Sequence, residues 1–199
     1  MTDTVSHIDS QSMTDLAADP RVSRALEEHR SIIIVGRATI AAKLALFKAL
    51  LHALPKHGNV GIIEDGDKLE DVPESAIVID AHLKGVDTIH RIIRDDELST
   101  IAYPSMHRGD IVRLLMDVSG QENGQVLMIN GAVSDATQTL TTDLPMILLK
   151  SSPSGHTEFS DAAIKAMNPV VVELNADDAI RAVTEVDLQA QGLRTIDVK

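Results

Sequence analysis

Ser31-Ile-Ile-Ile-Val-Gly-Arg-Ala-Thr-Ile-Ala-Ala-Lys-Leu-Ala-Leu-Phe-Lys-Ala-Leu-Leu51 is the stretch that decides the fold. Ile32 to Val35 is a β-branched run with no polar residue on either side of a pleat. That predicts a parallel strand buried on both faces. Gly36 breaks the run. From Ile40 to Leu54 the residues are apolar almost all round, interrupted by Lys43, Lys48 and His52. A helix of that composition is mostly buried, and Pro55 to Asn59 stop it.

Strand, glycine turn and helix follow one another in the order of a phosphate-binding loop, G-x-x-x-x-G-K-[ST]. The chemistry of that loop is missing. With Gly36 in the first position, Ala41 takes the second glycine, Ala42 the lysine and Lys43 the hydroxyl residue. With Lys43 in the lysine position, Arg37 and Ala42 replace the glycines and Leu44 the hydroxyl. Glycines let the backbone curl so that N–H groups and a helix N-terminus face the phosphates, and the hydroxyl holds Mg²⁺. Arg37, Thr39 and Lys43 remain to attract an anion. Taken alone, the segment reads as an ordinary strand-to-helix turn of an α/β domain.

Outward from this stretch, residues 1–13 read as a flexible leader and 14–199 as a single domain. Asp19-Pro20 opens a helix over Arg21–His29. Short strands are expected at Val60–Ile63, Ala76–Ile79, Thr100–Tyr103, Gln125–Ile129 and Pro145–Lys150. Helices are expected at Val86–Arg94 and at Asp110–Val118, where Asp110 caps the helix or complements its dipole. Alternation of strands and helices predicts a mostly parallel sheet covered on both faces. The tail differs: Val170–Leu174, a polar turn Asn175–Asp178 and Ala179–Leu188 predict an antiparallel hairpin, with one more strand over Leu193–Val198.

Composition narrows the function. The chain has 199 residues, 44% of them hydrophobic and 2% aromatic, so the core is aliphatic. The net charge of −12 argues against a nucleic-acid binder, which needs a basic face, and against an anionic membrane surface. Cysteine is absent, which excludes disulfides and thiolate zinc sites. No apolar run spans a bilayer, and Met1 to Gln11 does not resemble a signal peptide. A cytoplasmic protein is the simplest expectation. The eight histidines show no metal-ligand spacing, and no Ser lies in a G-x-S-x-G elbow.

Several segments, in order, resemble the C-terminal RecA-like domain of the traffic ATPases of type IV secretion and conjugative transfer. Arg24–Val35 resembles the helix and strand that lead into that family's P-loop. Val60-Gly-Ile-Ile-Glu-Asp-Gly-Asp-Lys-Leu-Glu70 resembles its acidic box. Met106-His-Arg-Gly-Asp-Ile-Val-Arg-Leu-Leu-Met-Asp117 resembles the segment from the Walker B glutamate through Arg-Gly into a helix. Gly124-Gln-Val-Leu-Met-Ile-Asn-Gly-Ala-Val-Ser134 resembles the histidine-box strand, and Pro169–Val186 a late hairpin. The resemblance covers roughly residues 14–198. It implies a three-layer α/β sandwich of the P-loop NTPase type, with a mostly parallel sheet and an antiparallel hairpin near the C-terminus. It also implies a first strand at the centre of the sheet, beside the Walker B strand.

The departures from the family are systematic. The P-loop is eroded at Ala41 and Ala42, the Walker B glutamate falls on Met106 or nearby Ser105, and the histidine on Asn130. Gly36, Glu64, Asp65 and Arg108 are kept. Only about 30 residues precede the first strand, where the family has a separate N-terminal domain. Triphosphate hydrolysis needs the cradle, Mg²⁺ and a group to orient water. Their joint loss implies a catalytically inactive relative with no cofactor and no metal, which joins, caps or regulates an active paralogue or another transfer-apparatus component. A homo-oligomer is also open. The alternative is a nucleotide sensor or weak NTPase that holds ATP or ADP with Mg²⁺ through Arg37, Thr39, Lys43 and Glu64. A third reading is an unrelated α/β domain.

Overall fold

The computed structural model describes residues 10–54, 59–66, 68–151, 157–186 and 195–197. Helices α1 (Ser10–Ala17) and α2 (Pro20–Glu27) precede β1 (Ile32–Gly36) and α3 (Ile40–Ala53). Then follow β2 (Val60–Glu64), β3 (Ile77–Asp80), α4 (Val86–Asp95), β4 (Thr100–Tyr103), α5 (Gly109–Ser119) and β5 (Gln125–Ile129). A short helix α6 (Ala136–Gln138) runs through a π-helical turn (Thr139–Asp143) into α7 (Leu144–Ser151) and α8 (Thr157–Met167). Strands β6 (Val170–Leu174), β7 (Ile180–Val186) and β8 (Thr195–Asp197) close the chain.

One sheet takes all eight strands in the order β3-β2-β4-β5-β1-β6-β7-β8. The pairings from β3 through to β6 are parallel, and β7 and β8 are antiparallel additions. β1 is central, as expected, but it does not lie beside β4, the strand that leads to Met106. β5 stands between them.

Successive residues of each parallel strand feed opposite faces, as the pleat requires. Ile33, Val35, Ile63, Ile101 and Met128 pack with α4, α5, α7 and α8. Ile32, Ile34, Ile62, Ala102, Leu127 and Ile129 pack with α1, α2 and α3. This double burial is why the strands read as unbroken apolar runs. The π-helical turn places Leu140 in the first of these layers.

The expected strand at Pro145–Lys150 is instead the body of α7. Pro145 enters just after the π-helical turn, where the Leu144 N–H already reaches back five residues to the Thr139 carbonyl and the regular ladder is interrupted, and Met146, Leu148 and Leu149 are good helix formers. α7 lies against the start of α5 so closely that a Cβ on Gly109 would sit 2.5 Å from the Ile147 carbonyl oxygen. Of the expected leader of residues 1–13, residues 10–13 lie in α1, which buries Met13 and Ala17 against α3, and residues 1–9 lie outside the described residues. Asp110 sits in the first turn of α5, where its charge complements the helix dipole, and it pairs with Arg108. The hairpin is present as β6 and β7, its turn held by Asn175 Oδ1, which accepts from the Asp177 and Ala179 N–H groups. Residues 187 and 188 of the hairpin's expected second strand, and 193, 194 and 198 of the expected last strand, lie outside the described residues.

Candidate functional site

The carboxyl ends of β1, β2, β4 and β5 meet at one edge of the sheet, the edge where ligands bind in open α/β folds. Every residue singled out in the sequence lies along it. The β1 end is a tight turn. Gly36 has φ of +106°, and its N–H donates to the Ser134 carbonyl at 3.0 Å. A Cβ there would lie 2.1 Å from the Leu174 carbonyl oxygen. The Arg37 N–H donates to that same oxygen at 2.9 Å, while the Arg37 side chain is exposed.

Helix α3 begins at Ile40, immediately after Thr39. Thr39 is its N-cap: the Thr39 hydroxyl accepts from the Ala42 N–H at 3.2 Å, and the Thr39 carbonyl from the Lys43 N–H at 3.1 Å. The stretch from Gly36 to Lys43 is therefore three loop residues and one turn of helix. The N–H groups of Gly36, Arg37, Ala42 and Lys43 all have partners within the protein. Ala41 is exposed and Ala42 buried; neither carries a group that could reach a phosphate.

Lys43 runs inward and is 1% exposed. Its Nζ donates to the carbonyls of Asn130 at 2.9 Å and Ala132 at 3.1 Å. Among the described residues no carboxylate lies within ion-pairing distance of it. Burial lowers its pKa. Asn130, at the end of β5, uses its whole amide. Nδ2 donates to Ser134 Oγ (2.9 Å), Thr139 Oγ1 (3.1 Å) and Asp143 Oδ2 (2.9 Å), and Oδ1 accepts from the Ala132 N–H (3.0 Å). Ser134 also donates to Asp143, at 2.7 Å. Thus β5, the π-helical turn and α3 are tied together by polar groups that face one another.

A second group forms at the ends of β2 and β4. Glu64 accepts from the Leu69 N–H at 2.7 Å and closes the turn after β2. Asp65 receives His107 Nε2 at 3.0 Å and Arg108 Nη1 at 3.5 Å. Arg108 also donates to the Ala81 carbonyl and forks onto Asp110 at 3.2 and 2.6 Å. Its hydrogen bond holds the Asp110 carboxyl below the usual carboxylate range. Met106 is buried in the core beneath, an apolar contact in the Walker B glutamate's place. Lys43 and Asn130 therefore meet, as do Asp65 and Arg108, but Glu64 bonds within its own turn and Arg37 points to solvent. Sequence reasoning places Tyr103 at a strand end, Ser105 beside the altered Walker B position and His107 among histidines without metal-ligand spacing, and it assigns no role to Ser134, Thr139 or Asp143. Ser105-x-His107 is a local spacing, but Asp65 reaches it only through the pairing of β2 with β4.

The fold is similar to that of the VirB11 ATPase from the Brucella suis type IV secretion system, solved in complex with sulphate. The TM-score is 0.63 at 19% identity, over 95% of this chain and 55% of that one. A KaiC-like protein from Pyrococcus horikoshii matches with a TM-score of 0.41 at 10% identity, over 86% of each chain. The chain thus has a RecA-like, P-loop-type fold and spans about half the length of the Brucella protein. No family model matches it, and no curated protein does. Among the described residues no helix is long and apolar enough to cross a membrane.

Proposed function

We propose that this chain is a non-hydrolysing relative of the secretion traffic ATPases that works through protein contacts, as a regulator, inhibitor or structural subunit of a secretion or conjugation system. One observation carries the reading: the loop keeps no lysine or hydroxyl at its mouth to hold phosphate and Mg²⁺. Lys43 is buried, Ala41 and Ala42 carry no polar side chain, and the Thr39 hydroxyl accepts from the Ala42 N–H. The N–H groups of Gly36 and Arg37 are taken by the Ser134 and Leu174 carbonyls. The Lys43 ammonium turns away from the loop mouth toward β5. These residues do not fit Mg²⁺-nucleotide. The scaffold around them is intact, with both faces of the sheet filled. A kept scaffold with an altered site is what a binding role requires. The similarity to VirB11 supplies the class of system, and a paralogous motor or a neighbouring component is the expected partner.

Two measurements test this. Unfolding with and without millimolar ATP or ADP and Mg²⁺ should show no change, whereas a ligand at 100 times its Kd adds about 2.7 kcal/mol. A shift of that size would return the nucleotide sensor to first place. Co-purification with the secretion motor should retain the chain, and failure to bind any component of such a system would refute the role.

A further inference from the structure

The β2–β4 end of the sheet edge holds a chain of groups that the altered nucleotide loop does not explain. The Ser105 hydroxyl is hydrogen-bonded to His107 Nδ1, and His107 Nε2 meets Asp65 Oδ2 at 3.0 Å. The Ser105 oxygen also accepts the His107 N–H at 3.2 Å, which leaves its proton for the imidazole. Nucleophile, base and orienting carboxylate thus stand in sequence, which is the diagnostic arrangement for an activated serine. Asp65 is held from behind by Arg108, so the carboxylate that fixes the ring is itself fixed.

An independent observation lies beside it. The Tyr103 hydroxyl is buried beside the Ser105 hydroxyl and the Arg108 backbone N–H. Burial pushes its pKa up to about 12, opposed by the adjacent Ser105 hydroxyl and Arg108 N–H. A hydroxyl that stays protonated beside the nucleophile can donate to the carbonyl oxygen of a bound ester as negative charge develops there. The imidazole is 64% exposed, so reagents reach it without a lid.

We propose that Ser105, His107 and Asp65 form a nucleophilic serine site that hydrolyses small, neutral carboxylic esters. In acylation the Ser105 Oγ–H proton passes to His107 Nδ1 as the oxygen bonds to the acyl carbon. The bond from that carbon to the leaving alkoxide breaks, and the Nδ1 proton goes to the leaving oxygen. Water then repeats the sequence. Its proton passes to Nδ1, its oxygen bonds to the acyl carbon, and Ser105 leaves and recovers the proton. Ester and water give acid and alcohol, with no oxidant or reductant. Asp65 is a positioning residue that holds the Nε2 proton. Glu64, Asp80 and Asp110 line the same edge and disfavour an anionic acyl group.

The test uses the full chain with a fluorophosphonate probe and p-nitrophenyl acetate. The wild type should carry the probe on Ser105, located by peptide mass spectrometry, and Ser105→Ala should not. His107→Gln, at an exposed position and checked for fold by circular dichroism, should lower the acylation rate by about 10²–10⁴-fold. Asp65→Asn should lower kcat with little change in KM. A merely structural role would not separate kcat from KM in this way. An unlabelled wild type, or a His107→Gln protein labelled at the wild-type rate, overturns the proposal. Neither result bears on the reading of the nucleotide loop.

Discussion

Replacing Gly36 with alanine places a methyl group where the backbone of β6 already stands. Three terms set its cost. A side chain at φ of +106° costs ~1–3 kcal/mol, as for residues held in sparsely populated backbone regions. The added Cβ, 2.1 Å from the Leu174 oxygen, forces the end of β6 away, and overpacking of this kind costs ~1–3 kcal/mol. That retreat stretches the Arg37 N–H bond to Leu174, 2.9 Å in the structure, worth ~0.5–1.5 kcal/mol. Together they predict a loss of about 3–7 kcal/mol, a large share of the ~5–15 kcal/mol that holds a typical domain folded. Urea unfolding followed by circular dichroism measures it, with the slope checked for constancy. A glycine kept for close approach to phosphate would behave differently, with nucleotide affinity falling and stability nearly unchanged. A loss below about 1 kcal/mol, within the ordinary range for surface changes, would refute the view that Gly36 serves the contact with β6.

Lys43 gives a pH test. Burial lowers its pKa below 10.5 in the folded state, so between that lowered value and 10.5 the unfolded chain binds more protons. Stability should therefore rise with pH through that window and be lower below it. Lys43→Met should remove that slope in urea titrations, and an unchanged slope would place the charge elsewhere. Asn130→Ala should cost about 3 kcal/mol, because it strips partners from Ser134, Thr139 and Asp143 at once. A thermal scan showing no decrease in Tm would mean that water replaces the amide without loss.

Much of the fold was legible because β-branched runs at Ile32–Val35 and Val170–Val172 can be little else than buried strands. α7 was not, because Leu-Pro-Met-Ile-Leu-Leu is apolar in either geometry and periodicity cannot separate a short buried helix from a strand. At the sheet edge, the altered positions at Ala42, Met106 and Asn130 could be found by their order along the chain. What those residues do instead could not. Lysine is rarely buried without a counter-charge, so nothing in the sequence sends Lys43 inward. Asp65 and His107 lie on different loops, and only the parallel register of β2 with β4 brings them together.

The central place of β1 also shapes how the chain is made. Ile32 finds its two neighbours at Leu127 and Val170, so β1 is made long before either strand that pairs with it. At ~5–20 residues per second, synthesis takes roughly ten seconds to supply those partners. Throughout that time Ile32-Ile-Ile-Val35 has two open edges, the condition in which strands add to strands of other chains; α1, α2 and α3, made around it, can cover one of its faces. Assembly by distant pairing is slow in any case. A nascent chain of this topology is therefore expected to depend on chaperone capture of the segment around β1.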